Sequence, residues 1–303
     1  MILATSALVG PALAELGAAH PVEVRTFRSE AWKAALPSAR ALIVLLSEPL
    51  TPEDLDRAPE LRAIGTYSVG VNHLPLAACE ARGIRVINTP GTLTEATADL
   101  ALALLLAVTR RVAEGEALVR SGRWQGWAPD QLLGPGLTGK ACGILGAGPI
   151  GRAFARRAWA LGMSIAFWDR EGRGGEVDFG PGRAPRLPLD DMLARSAVLS
   201  LHCPLTDDTR GLLDGPALAR LPLGAVVINT ARGGILDEPA LMDALDEGRL
   251  GGAGLDVYAG EPNLDPRWLR TPRTVLLPHL GSATRETREA MARQLCEGIR
   301  AAL

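Results

Sequence analysis

The sequence predicts an α/β protein made of two doubly wound domains. Three observations lead there: short apolar runs alternate with amphipathic stretches along the whole chain, a turn signal follows each run, and no repeat of fixed period intervenes. A chain of 303 residues suggests two such domains.

The runs at 2–5, 41–45, 84–87, 141–145, 164–168, 198–201, 225–229 and 252–255 read as strands, most of them followed by a helix, as a parallel sheet requires. The stretch 94–119 reads as one long helix with Thr94 as its N-cap and Glu95 and Asp99 near its N-terminal end. Leucines at 100, 102, 104, 105 and 106 make it apolar on nearly all sides, which predicts burial between domains or subunits. The stretch 121–139, with Trp124 and Trp127, reads as an irregular arm. The stretch 170–186, rich in Gly, Pro and Arg, reads as a solvated loop.

Composition excludes several classes of function. Lys and Arg total 32 against 34 for Asp and Glu, a net charge of −2, so no electrostatic footprint for nucleic acid or an anionic membrane is present. A small anionic substrate stays compatible, because it needs one local cation. The apolar beginning of the chain lacks a basic n-region and is interrupted by Pro11 and Glu15, so it reads as a strand and a helix. The most apolar stretch, 100–108, is too short to span a bilayer. The four cysteines, 79, 142, 203 and 296, form no CxxC pair and no metal-ligand spacing, which fits a reducing cytoplasm and predicts no metal.

The clearest local signal is Gly146-Ala147-Gly148-Pro149-Ile150-Gly151. A glycine sextet alone is weak, but this one follows the apolar run ACGIL and opens a helical stretch. Gly146 permits a tight turn, Gly148 lets backbone approach a pyrophosphate, and Gly151 lets the helix pack close to the strand. Pro149 suits the first turn, whose free N–H groups and partial positive charge favour phosphate. The next strand runs into Asp169, whose carboxylate would accept from ribose hydroxyls and repel a 2′-phosphate. That favours NAD(H). Arg170 and nearby Arg173 keep NADP(H) open.

Three later segments carry candidate chemistry: Asn229-Thr230-Ala231-Arg232-Gly233-Gly234, then 254–262 with Asp256 and Glu261, then 277–284 with His279 and Gly281. Taken singly, Arg232 reads as a surface arginine, Glu261 as a solvated carboxylate and His279 as a histidine satisfied in a turn. Their joint occurrence after a dinucleotide turn reverses those readings.

With these segments in place, the chain resembles the D-isomer-specific 2-hydroxyacid dehydrogenase family, and within it the glyoxylate/hydroxypyruvate reductases. The likeness also covers Ser68-Val69-Gly70-Val71-Asn72, Asn88-Thr89-Pro90-Gly91, His202-Cys203-Pro204-Leu205-Thr206 and Trp124-Gln125-Gly126-Trp127. It implies a Rossmann nucleotide-binding domain, 94–279, inserted into a discontinuous flavodoxin-like substrate domain, 1–93 and 280–303, with a cleft between them and a dimerisation arm at about 121–139. It implies a homodimer that reduces a small 2-oxo acid to the D-2-hydroxy acid. His279 would be the general acid. Glu261 would orient the imidazole and favour its charged form. Arg232 would bind the substrate carboxylate or polarise the carbonyl. Backbone N–H groups at Val69 and Gly70 would take the remaining carboxylate oxygen. Asp256 would face the nicotinamide carboxamide, and Thr230, Ala231, Cys203, Pro204 and Gly281 would line the dinucleotide site. Trp127 would help select substrate in the partner subunit, or both tryptophans would only anchor the dimer.

The sequence departs from the family pattern at Asn72, in place of Asp, and at Pro149, in place of a common Arg. His73 reads as solvent-facing. Two rival readings stay open. One is a same-fold dehydrogenase for another acid such as 3-phosphohydroxypyruvate, against which stands the end of the chain at Leu303. The other is a non-catalytic NAD(H)-sensing binding module. Glu261, not Gln, beside His279 argues against a formate dehydrogenase.

Overall fold

The computed structural model describes residues 1–169 and 174–303, which form two compact units, 1–93 with 282–303, and 94–281. Residues 280 and 281 stay with the second unit instead of starting the closing segment of the first. The reason is local: the Asp256 carboxylate accepts from both the Leu280 and Gly281 N–H groups, and Thr97 Oγ1 donates to Gly281 O.

The first unit is a parallel five-stranded sheet of β1 (Ile2–Ala4), β2 (Val22–Val24), β3 (Ala41–Val44), β4 (Ala63–Thr66) and β5 (Arg85–Ile87). The strand order is β2-β1-β3-β4-β5, the flavodoxin-like arrangement. The central strands β1, β3 and β4 are buried throughout, which explains their continuous apolar runs. Ile2, Ala4 and Ile43 pack with Leu295 and Ile299 of the helix Arg285–Ala302 on one face. Leu3, Leu42 and Ile64 pack with Trp32 and Leu55 on the other. Each of these leucine and isoleucine side chains, fully buried, stabilises the fold by about 2 kcal/mol.

The strands read in the sequence do not include β2 or β4, and within β4 Gly65 is a residue that weakens a strand signal. The glycine is required by close approach: a Cβ there would stand 2.6 Å from Leu295 Cδ1. His73, expected to face solvent, is half-buried, with Nε2 2.9 Å from Thr66 Oγ1.

The second unit centres on a parallel six-stranded sheet. It contains β6 (Ala141–Leu145), β7 (Ser164–Trp168), β10 (Val198–Leu201), β11 (Val226–Asn229), β12 (Gly252–Leu255) and β13 (Thr274–Leu276), in the order β13-β12-β11-β10-β6-β7. Between β7 and β10 lies an antiparallel hairpin of β8 (Glu176–Asp178) and β9 (Arg183–Pro185). This corrects the expected solvated loop. Val177, Phe179 and Ala184 are buried in the core, an alternation hidden by the surrounding Gly, Pro and Arg. Beyond the hairpin, Arg186 makes a single parallel bridge to Phe167 of β7.

The expected long helix is two helices, Thr94–Thr109 and Val112–Arg120. Arg111 sits between them with φ 51°, its guanidinium paired with Glu114 at 2.6 Å. Gly134 of the arm packs against the break so tightly that a Cβ would lie 1.9 Å from Thr109 O. The first helix buries Ala98, Ala101, Leu104, Leu105 and Val108, while Leu106 remains exposed. Among the described residues, no helix is long and apolar enough to cross a membrane.

Candidate active site

The glycine turn connects β6 to the helix Pro149–Ala160, and each glycine has a separate steric reason. Gly146 has φ 108°, and a Cβ on it would lie 2.7 Å from Cys203 N. A Cβ on Gly151 would lie 2.0 Å from Gly146 O, so only glycine lets the helix start this close to the strand. Gly148 is the N-cap, with nothing within 4 Å of its Cβ position and no side-chain cap. Pro149, which has no N–H to leave unpaired, and Ile150 open the first turn, and a helix start without a side-chain cap suits an anion.

In front of this turn lies a cleft of about 330 Å³ lined by Gly146, Gly148, Asp169, His202, Cys203 and Pro204. Three residues that sequence reasoning did not single out also line it: Arg152, Arg186 and Thr209. Arg152 is one turn into the helix, with Nε on Ala147 O at 2.8 Å. Its position directly after the glycine sextet was the available signal.

Two residues of this cleft carry a buried polar atom with no partner among the described residues: Asp169 Oδ1 and His202 Nδ1. Thr230 Oγ1 is a third such atom, after β11. Native proteins rarely leave such atoms unsatisfied, so these groups suit a polar ligand or ordered water. Burial holds His202 neutral, pushing its imidazole down to about 3, while its Nε2 lies 2.8 Å from Ser200 Oγ. A dinucleotide fits this set: the open Gly148 and helix terminus suit a pyrophosphate, and Asp169 suits a ribose diol. Arg170, expected here, lies outside the described residues, as does Arg173.

The catalytic candidates come together at the C-terminal ends of β11 and β12 and in the segment after β13. His279 Nδ1 lies 2.7 Å from Glu261 Oε1, both side chains partly exposed. Glu261 Oε2 accepts from Tyr258 N–H at 3.3 Å. Burial raises the Glu261 carboxyl, but the His279 hydrogen bond and charge, the Tyr258 N–H and the Arg232 cation outweigh it and hold it below the usual range. The Glu261–Pro262 peptide is cis.

Arg232 has no ion-pair partner among the described residues, and its guanidinium bonds only to Ala231 O, at 2.6 Å. Burial lowers its pKa, against the pull of Glu261. Gly233 makes the approach of these two loops possible, since a Cβ there would lie 2.0 Å from the Tyr258 carbonyl carbon. Ala231 N–H is fixed by Asn229 Oδ1, and Asn229 Nδ2 donates to Arg232 O.

Asp256, expected to face the carboxamide, has both carboxylate oxygens on backbone donors. Its Oδ1 accepts from Leu280 N–H at 2.6 Å and its Oδ2 from Gly281 N–H at 2.8 Å, so it grips the turn that follows His279. His279 itself has φ 57°, a left-handed conformation that costs on the order of 1 kcal/mol in a non-glycine residue. Burial raises the Asp256 carboxyl against these two donors.

Sequence reasoning also missed Glu238, which is 5% exposed. It accepts from Trp268 Nε1 at 2.8 Å and from Ala259 N–H at 2.5 Å, and so anchors the loop that carries Glu261. A helix-start glutamate looks solvated in sequence, and its partner Trp268 is 30 residues away.

Val69 and Gly70 belong to the other unit, in the loop after β4. Their carbonyls are taken by Asn88 Nδ2 and Ser68 Oγ, while their N–H groups have no partner among the described residues. Trp127 is 84% exposed on the arm. Among the described residues, no cluster of three or more His, Cys, Asp or Glu is arranged to hold a metal.

A glycine turn opening onto a helix N-terminus, a carboxylate at the end of the next strand and a carboxylate–imidazole pair are the features expected of a dinucleotide-dependent oxidoreductase. Residues 102–281 match the family model described as D-isomer specific 2-hydroxyacid dehydrogenase, NAD binding domain. The chain belongs to the D-isomer-specific 2-hydroxyacid dehydrogenase family. It is 43% identical over 264 residues to a glyoxylate reductase of Thermococcus litoralis, covering 86% of this chain and 79% of the relative. It is 42% identical over 258 residues to a glycerate dehydrogenase of Hyphomicrobium methylovorum, covering 85% and 80%. A crystal structure of a Thermus thermophilus protein superposes with a TM-score of 0.91 at 44% identity, covering 99% of this chain and 96% of that one. The protein is therefore an NAD(P)-dependent oxidoreductase of small 2-oxo and D-2-hydroxy acids.

Proposed function

We propose that the protein reduces glyoxylate or hydroxypyruvate to the D-2-hydroxy acid, with His279 as general acid. The observation that carries the reading is the Glu261–His279 pair at 2.7 Å beside an arginine with no carboxylate partner among the described residues. Relatives named glyoxylate reductase and glycerate dehydrogenase support the substrate class.

Gly146, Gly148, Pro149, Ile150 and Gly151 would hold the pyrophosphate, and Asp169 the adenosine ribose. Cys203, Pro204, Thr230, Ala231 and Gly281 would line the rest, with Asp256 offering its remaining lone pairs. A dinucleotide held there would supply the hydride for the keto carbon. Arg232 holds the substrate carboxylate and orients the carbonyl. Glu261 accepts a hydrogen bond from Nδ1–H, which leaves Nε2–H of the imidazolium to protonate the keto oxygen. His279 ends neutral and is recharged from solvent. Glyoxylate and hydroxypyruvate are favoured over 3-phosphohydroxypyruvate on the likeness to the reductase branch.

The same reading includes a homodimer, in which the arm bearing Trp124, Trp127 and Leu133, all exposed in the single chain, packs on a second copy. It also places the enzyme in the cytoplasm, where four unpaired cysteines stay reduced. A panel of glyoxylate, hydroxypyruvate, pyruvate and phenylpyruvate with NADH and NADPH tests the substrate. Turnover of the first two with a D-configured product supports the reading, and cofactor binding without turnover of any acid favours a sensing module instead.

A further inference from the structure

Asp169, which the mechanism uses, is paired in the cleft with an arginine that the mechanism does not use. Arg186 Nε lies 2.8 Å from Asp169 Oδ2, and both side chains are about three-quarters buried. Asp169 Oδ1, buried and without a partner among the described residues, is the oxygen left for a ribose hydroxyl. Arg186 is fixed beside it by backbone: it bridges to Phe167, Leu187 N–H donates to Phe167 O at 2.9 Å, and the guanidinium Nη1 donates to Glu176 O at 3.2 Å. A cation is thus built into the ribose end of the cleft and spent on a carboxylate.

We propose that Arg186 is a latent 2′-phosphate site kept out of use by Asp169, so that the pair, and not Asp169 alone, sets which nicotinamide dinucleotide is taken. The proposal rests on the dinucleotide reading of this cleft. While the carboxylate is present, the guanidinium is neutralised and a 2′-phosphate meets Asp169 as a like charge. A ribose diol meets only the open Oδ1. Without the carboxylate, a guanidinium fork already held at the ribose end can pair with phosphate oxygens. Arg186 then changes from a residue that positions Asp169 to one that binds ligand.

The test is calorimetric titration of the full-length protein with ADP-ribose and with 2′-phospho-ADP-ribose, which read binding without turnover. Unaltered protein should prefer ADP-ribose. Asp169→Ala and the shape-conserving Asp169→Asn should each gain about tenfold or more for the 2′-phosphorylated ligand. Asp169→Ala/Arg186→Ala should lose that gain, and Asp169→Ala/Arg186→Lys should keep part of it. Arg186→Ala alone should weaken ADP-ribose binding, because Asp169 loses its anchor. A gain that survives in the double variant places the cation elsewhere and overturns the proposal, as does no gain in either Asp169 variant. Failure of the unaltered protein to bind either ligand would instead overturn the dinucleotide reading. Thermal melts of each variant separate loss of fold from loss of binding.

Discussion

Glu261 Oε1 lies 2.7 Å from His279 Nδ1, and each partner is held in place by a different buried carboxylate. Asp256 grips the two backbone N–H groups that follow His279. Glu238 accepts the Ala259 N–H two residues before Glu261. The acid–carboxylate pair is thus preorganised from both sides, which is what proton delivery at a fixed distance requires.

The Glu261 carboxyl is held below its ordinary value of 4.5 because His279, Tyr258 N–H and Arg232 outweigh burial. A carboxyl lowered on folding contributes stability that is complete above its unfolded pKa and is lost as pH falls through the folded one. Unaltered protein should therefore melt above Glu261→Gln at neutral pH, and the gap should close as pH drops below 4.5. Melting curves of both proteins across that range check this. A gap that widens toward acid would show that the carboxylate is not stabilised by its neighbours.

Gly233 allows the Arg232 loop to touch the Tyr258–Ala259 backbone, where a Cβ would stand 2.0 Å from a carbonyl carbon. Backbone cannot yield as a flexible side chain can. Gly233→Ala should destabilise the protein by about 1–3 kcal/mol or more and lower kcat/KM, since Arg232 and Glu261 are forced apart. Denaturant unfolding and steady-state kinetics measure both effects. Gly148→Ala, which meets nothing within 4 Å, should leave the melting temperature nearly unchanged while weakening cofactor binding.

Glu238→Gln keeps the volume but replaces one acceptor oxygen by a donor facing either Ala259 N–H or Trp268 Nε1. The lost buried bond should cost about 1–3 kcal/mol of stability. Because Glu238 acts through the loop and touches no substrate, kcat should fall about tenfold with KM for NADH unchanged. An unaltered kcat would make Glu238 a purely structural residue.

What the sequence disclosed follows from locality. The strand β6, the glycine turn and β7 are consecutive, and their apolar runs and glycines meet constraints within the same few residues. The two-domain α/β class and the site segments were legible for that reason. Elements governed by distant contacts were not. Gly65 makes β4 look interrupted, though the glycine answers to Leu295 across the sheet. The hairpin's Val177, Phe179 and Ala184 were masked by the Gly, Pro and Arg between them. At the break before Arg111, Gly134 of the arm packs against Thr109 O, a contact that no helix propensity shows. Asp256 and Glu238 look like ordinary loop and helix-start carboxylates until their partners, more than 20 residues away, are placed on them.

The central claim is that His279 delivers the proton to the keto oxygen, and His279→Ala tests it most directly. The measurement pairs NADH oxidation in the presence of glyoxylate or hydroxypyruvate with NADH binding followed by fluorescence. The account predicts a loss of about 10²–10⁴-fold in kcat with cofactor affinity preserved. Full turnover in that variant, with cofactor affinity intact, would contradict it.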